Sequence, residues 1–210
     1  GDADRVILVD ERGQVVDGDS VLAMCALELA ETGLLKKSTV VATVMSNLGL
    51  ERSLAARKIK LVRTAVGDRH VVDAMRRGGF NLGGEQSGHL VFLDHASTGD
   101  GIVAALQVLA LMLRKDKPLS ELAAQAMTRV PQVLESIIFP RRRPIEEMKR
   151  LQVAMRSVSK SLGRRGRILV RWSGTEPKLR VMIEGENETS IRRLAGALLE
   201  AARQDFGARS

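Results

Sequence analysis

Apolar and polar positions along this chain change rhythm repeatedly, from short contiguous runs to helical spacings and back. Residues 6–9 are a short apolar run that closes in Asp10-Glu11-Arg12-Gly13, which predicts a strand and a turn. Asp19 and Ser20 stand where they can cap a helix through Val21, Met24, Leu27 and Glu28, and Gly33 stops it. Residues 39–45 are β-branched and predict a buried strand. Residues 47–58 are helical, 59–64 a strand, and Gly67-Asp68 opens a helix that ends at Gly78-Gly79. A strand is expected at 90–93, followed by a helix capped by Asp100 with Ile102, Leu106, Leu109 and Leu113 on one face. This βα alternation predicts a layered α/β domain.

The rhythm changes past Lys117-Pro118 and a short helix, with Val130-Pro131 opening a different pattern. Residues 133–139 predict a strand and 145–158 a helix with Met148, Leu151 and Met155 inward. Residues 167–172 and 179–184 predict paired strands around a Gly-Thr-Glu-Pro turn. A last helix carries Ile191, Leu194 and Leu198 on its apolar face. The order β, α, β, β, α predicts a smaller α+β domain, a sheet with helices on one face, and a boundary near residue 128. No internal repeat or low-complexity segment interrupts either part.

Composition narrows what these domains can do. A chain of 210 residues, 44% of them hydrophobic, can bury one large core or two modest ones, and no apolar run is long enough for a transmembrane helix, so no membrane partner is expected. The single Cys25 lies in an apolar helical pattern, which excludes an intrachain disulfide and makes the cytoplasm the default compartment. The opening Gly1-Asp2-Ala3-Asp4-Arg5 has no initiator Met and no signal segment, so the sequence is expected to start partway through a larger protein. The net charge of +8 raises the question of nucleic acid, but the basic residues are dispersed apart from Arg141, Arg142, Arg143 and Arg164, Arg165, Arg167. Aromatic residues make up 2%, four Phe and one Trp, too few for the stacking that single strands need. No nucleic acid partner is expected, and a positive field serves a small phosphorylated ligand equally well.

Three loops have compositions that packing alone does not explain. In the first, Asp2 and Asp4 stand at i and i+2 before a strand, where their oxygens can share a hard cation such as Mg²⁺; a frayed acidic terminus would carry the same letters. In the second, a loop over residues 81–89, glycines surround Glu85, Gln86, Ser87 and His89, so polar side chains can converge on one small volume. Glu85 can accept from two hydroxyls and Ser87 can donate or accept, as a polyhydroxylated ligand requires, although a solvated glycine hairpin remains the plain alternative. In the third, Ser173, Gly174 and Thr175 can aim hydroxyl and backbone N–H groups at one oxyanion. Arg171 and Arg180 flank that loop with guanidinium forks, and Pro177 stiffens it. A polar β-hairpin turn is the plain alternative. The spacing of the nucleotide-binding phosphate loop is absent, and Trp172 is expected to pack rather than stack on a ligand.

The succession Gly-Asp-Ala-Asp-Arg at 1–5, Gly-Glu-Gln-Ser-Gly-His at 84–89 and Arg-x-Ser-Gly-Thr-Glu-Pro at 171–177 resembles the α-D-phosphohexomutase family across the whole chain. Gln86, with Thr64-Ala65-Val66-Gly67-Asp68-Arg69, is similar to the phosphoglucosamine mutase branch rather than the phosphomannomutase or phosphoglucomutase branches. The resemblance implies a fragment of a four-domain protein. Residues 1–16 would be a remnant of the metal-binding second domain, 17–128 the sugar-binding third and 129–210 the phosphate-binding fourth. It implies that Asp2 and Asp4 are two of three Mg²⁺ carboxylates, the third preceding Gly1, and that Arg5 lies near the transferring phosphate. Glu85 and Ser87 would hold sugar hydroxyls, and Arg171, Ser173, Gly174 and Thr175, supported by Arg180, the non-reacting phosphate. His89, catalytic together with Arg5, and Arg69, substrate-binding, would line the same cleft.

The implied reaction interconverts glucosamine 6-phosphate and glucosamine 1-phosphate through a phosphoserine enzyme and a bisphosphate intermediate. The substrate would be a phosphorylated hexosamine, and the assembly a homodimer. No serine here has the family's phosphoserine context, so the chain alone is expected to be inactive. Mannose or glucose phosphate specificity, a non-catalytic phosphosugar-binding module and a basic nucleic acid binder are the rival readings.

Overall fold

The computed structural model describes residues 2–207, and Gly1 of the acidic motif lies outside them. The chain forms two compact units that divide between Arg129 and Val130.

The first unit begins with a two-stranded antiparallel hairpin, β1 (Leu8–Val9) and β2 (Val15–Val16). Helix α1 (Gly18–Glu31) follows, then β3 (Thr39–Thr43), α2 (Leu48–Ala56), β4 (Lys60–Thr64) and α3 (Asp68–Gly78). Strands β5 (Leu82–Gly84) and β6 (Leu90–Phe92) and helices α4 (Gly101–Lys115) and α5 (Leu119–Ala126) complete it. The sheet order is β4-β3-β5-β6, parallel except for the antiparallel β5–β6 pair.

Alternation along β3 divides the core between the sheet's faces. Val40 and Ala42 join α1, α2, α4 and α5, whereas Val41 joins Val71, Val72 and Met75 of α3. The result is an α/β/α sandwich. Leu22, Leu50 and Leu54 are wholly buried, and each such side chain contributes roughly 2 kcal/mol of burial energy. Cys25 is part of this core, and burial pushes its thiol up to about 12.

Three expectations are corrected. The N-cap of α1 is Asp17, which accepts from Ser20 N at 3.0 Å, while Asp19 is buried inside the first turn and accepts from Asn47 N at 2.7 Å. Residues 82–84 are a strand, hidden in the sequence by two glycines. Helix α4 turns Ala104, Val108 and Leu111 inward and leaves Ile102, Leu106, Leu109 and Leu113 exposed. That helix is apolar nearly all round, so the spacing of its large residues cannot select the buried stripe.

The second unit is a three-stranded antiparallel sheet, order β7-β9-β8, formed by β7 (Gln132–Ile138), β8 (Arg167–Trp172) and β9 (Lys178–Glu184). Helices α6 (Lys149–Leu162) and α7 (Glu188–Asp205) pack on one face, where Val133, Val181, Ile183 and Leu179 meet Leu151, Ile191 and Leu198. Trp172 packs edge-on to Phe139 and Phe206, centroids 5.9 and 6.3 Å away. Strand alternation therefore sends Arg171 and Arg180 to the face away from the helices. Among the described residues, no helix is long and apolar enough to cross a membrane.

Candidate functional site

The turn between β5 and β6 brings Glu85, Gln86 and Ser87 to the edge of the first unit. Glu85 N donates to His89 O at 2.8 Å and Gly88 N to Glu85 O at 3.1 Å, with Gly88 at φ +90°. That dihedral favours glycine, which explains the residue in chemical terms. The start of α1 braces the turn from below, with Gly18 N donating to Gln86 O at 3.1 Å. A Cβ at position 18 would stand 2.2 Å from Glu85 O, so only glycine permits this approach. From the other side, Gly67 N donates to Glu85 Oε1 at 2.9 Å, and Ser87 Oγ stands 3.4 Å from Oε2. Glu85 is thus aimed by the N-terminus of α3. Arg69, one residue into that helix, is exposed and pairs with Asp73 at 3.8 Å.

The acidic segment lies against the same turn. Val6 N donates to Gly88 O at 3.1 Å, Gly101 N to Ala3 O at 2.9 Å, and Arg5 forms a bridge with His89. Ala3 adopts φ +58°, which turns the backbone between the two aspartates. Asp2 is held below its ordinary value, chiefly through its interaction with the Asp4 side chain. His89 is buried, and its Nδ1 meets Asp4 Oδ2 at 3.1 Å. With the carboxylate accepting, the imidazole proton resides on Nδ1, and Nε2 has no partner among the described residues. The geometry makes His89 a support for Asp4, while Arg5 is largely exposed beside that carboxylate, 4.0 Å away. Two adjoining aspartates suit a hard divalent cation, although no cluster of three candidate ligands exists among the described residues.

The third loop joins β8 to β9 in the second unit. Ser173 is buried and closes it, donating from N to Lys178 O at 2.8 Å, while Gly174 and Thr175 are exposed. Arg171 and Arg180 are register partners across the two strands, so their guanidinium groups share one face. Burial, then the charge of Arg180, push Arg171 below its ordinary value. Arg180 Nε is buried without a partner among the described residues. Like charges opposite one another with an unmet donor are unfavourable alone and become favourable around an anion.

The structure therefore gathers Asp2, Asp4, Arg5, Glu85, Ser87 and His89, with Arg69 nearby through Gly67. It separately gathers Arg171, Ser173, Gly174, Thr175 and Arg180. Sequence reasoning missed Gly18 and the Gly67 amide as braces of Glu85. Their signal was available only in part, since a glycine before a helix reads as an ordinary start.

Two family models match the chain: "Phosphoglucomutase/phosphomannomutase, alpha/beta/alpha domain III" over residues 17–130, and "Phosphoglucomutase/phosphomannomutase, C-terminal domain" over residues 134–201. A phosphoglucosamine mutase of Sorangium cellulosum is 64% identical over 210 residues, covering 100% of this chain and 44% of that protein. A phosphoglucosamine mutase of Myxococcus xanthus is 54% identical over 205 residues, covering 96% of this chain and 44% of that protein. The chain thus spans under half the length of these relatives. A solved Aspergillus fumigatus N-acetylphosphoglucosamine mutase, in complex with GlcNAc-6P and magnesium, shares the fold at TM-score 0.75 and 23% identity, over 98% of this chain and 48% of that one.

Proposed function

The chain belongs to the phosphoglucomutase/phosphomannomutase family, and from that premise we propose that it is the sugar- and phosphate-gripping part of a phosphoglucosamine mutase. The complete enzyme would interconvert glucosamine 6-phosphate and glucosamine 1-phosphate through a phosphoserine and a bisphosphate. The observation that carries this reading is the pair Arg171 and Arg180, opposed on neighbouring strands beside a Ser-Gly-Thr turn, with one guanidinium nitrogen buried and unmet. A phosphate ester supplies negative charge between the two guanidinium groups and an acceptor for Arg180 Nε.

In this reading Arg171, Ser173, Gly174, Thr175 and Arg180 hold the non-reacting phosphate. Glu85 keeps one oxygen on the Gly67 amide, and its second oxygen, with Ser87, receives sugar hydroxyls. Asp2 and Asp4, two residues apart, would hold Mg²⁺, whose charge would neutralise that of a phosphoryl group during transfer. His89 fixes the Asp4 rotamer, and Arg5 places a positive charge next to it. Without a serine in the phosphoserine context, the 210-residue chain binds substrate but does not turn it over; turnover at the rate of a complete mutase would contradict this.

Titration calorimetry with glucosamine 6-phosphate and with glucosamine tests the reading. Saturable binding of the phosphorylated sugar alone is the expected result. Equal heats from both, or none from either, would sink the clamp.

A further inference from the structure

The basic run Arg141-Arg142-Arg143 takes no part in the function described above, yet it lies against the phosphate loop. Segment 139–144 crosses behind loop 173–177 within the second unit. Phe139 N donates to Pro177 O at 2.9 Å, and Arg142 Nη2 donates to Gly174 O at 2.6 Å and to Glu176 O at 3.3 Å. Three loop carbonyls are therefore drawn to one strap. The strap itself is fixed on both sides of Arg142. Phe139 stacks on Phe206 at 4.1 Å, Trp172 Nε1 donates to Arg143 O at 2.8 Å, and Arg143 Nη1 donates to Asp205 O at 2.8 Å.

A trans peptide points its C=O and its following N–H in opposite directions. Holding the Gly174 carbonyl toward the strap turns the Thr175 N–H away from it, to the side where an anion can accept. Gly174 has nothing within 4 Å of where a Cβ would be, so no side-chain packing fixes this peptide. Glycine gives the peptide freedom, and the guanidinium removes it.

We propose that Arg142 is a positioning residue that orients the Gly174–Thr175 peptide so that its N–H faces the bound phosphate. This rests on the reading of loop 173–177 as a phosphate clamp. Arg142 acts through two carbonyls and need not touch the ligand. Arg141, its neighbour, carries the same charge without a hydrogen bond to the loop among the described residues, which makes it the control.

The test uses the full chain and the variants Arg142→Ala, Arg142→Lys and Arg141→Ala. Backbone amide relaxation by NMR without ligand reads the loop's order, and calorimetry with inorganic phosphate and glucosamine 6-phosphate reads its affinity. Arg142→Ala is expected to loosen the amides of 174–176 on the fast timescale and weaken binding of both about tenfold. Arg142→Lys, which keeps one donor, recovers part of each, and Arg141→Ala changes binding less than twofold. Unchanged loop order in Arg142→Ala overturns the proposal, as does an equal affinity loss in Arg141→Ala, which would mean a diffuse field effect. If the unaltered chain binds neither ligand, the clamp reading fails, while the loop-order measurement still decides whether Arg142 holds the peptide.

Discussion

The Glu85 turn and the loop beyond Arg171 are held in opposite ways. The Glu85 turn is braced in every direction: the Gly18 amide takes Gln86 O, the Gly67 amide takes Glu85 Oε1, and the acidic segment is tied to Gly88 and His89. The loop beyond Arg171 is fastened by Arg142, while the strands beside it present two opposed arginines, with Arg180 Nε lacking a partner among the described residues. A turn whose backbone is hydrogen-bonded on both sides keeps its shape without ligand, even with His89 Nε2 lacking a partner among the described residues. A turn that crowds positive charge gains stability when an anion arrives. The difference teaches that, of two hairpin turns of similar length, one can be fixed by its own hydrogen bonds and the other left with crowded positive charge that an anion would relieve.

The contrast breaks most visibly at Arg171. Arg171→Ala is expected to weaken glucosamine 6-phosphate binding at least a hundredfold, about 3 kcal/mol, and Arg171→Lys to recover little because an ammonium lacks the fork. Calorimetry reads both. Arg180→Met should lose about tenfold in affinity with no loss of thermal stability, since it removes one of two opposed charges.

The brace beneath the Glu85 turn has its own pH signature. Burial raises Asp19 to about 6 against an ordinary 3.8, because charging it inside the first turn of α1 is unfavourable. The folded state therefore prefers the protonated acid. That stabilisation is complete below about pH 4 and is lost as pH rises through about 6, a span worth roughly 3 kcal/mol. Asp19→Asn should flatten the pH dependence of urea stability in this window and be the more stable protein at pH 7. A parallel slope in both proteins would contradict it.

Gly18→Ala drives a Cβ against Glu85 O and should cost about 2 kcal/mol while weakening sugar discrimination more than phosphate affinity. The smallest effect concerns Cys25: its buried, high-pKa thiol should react with a thiol reagent only as the first unit unfolds. Rapid labelling in the native protein would show that the core opens more easily than its packing implies.

Much of this architecture is written locally. Helix α3 is bounded by Gly67 and by Gly79 at φ +69°, and its limits are legible because capping is a short-range effect. Strand β5 is not legible, since Gly83 and Gly84 give no strand signal and owe their conformation to β3 and β6. Asp19 reads as a cap because sequence reveals its place at a helix start but not the Asn47 amide 28 residues away. The outward stripe of α4 is misread because that helix is apolar nearly all round and spacing alone does not select its buried face. At the site, the letters of both loops announce polar chemistry. What holds the loops does not show: Gly67 to Glu85 and Arg142 to Gly174 are contacts that only the folded chain creates.

Hydrogen exchange of the intact chain, with and without inorganic phosphate, tests the central claim most directly. The account predicts added protection in residues 171–180 and none in 85–89. Absence of protection in 171–180, or an equal gain in both turns, would contradict it.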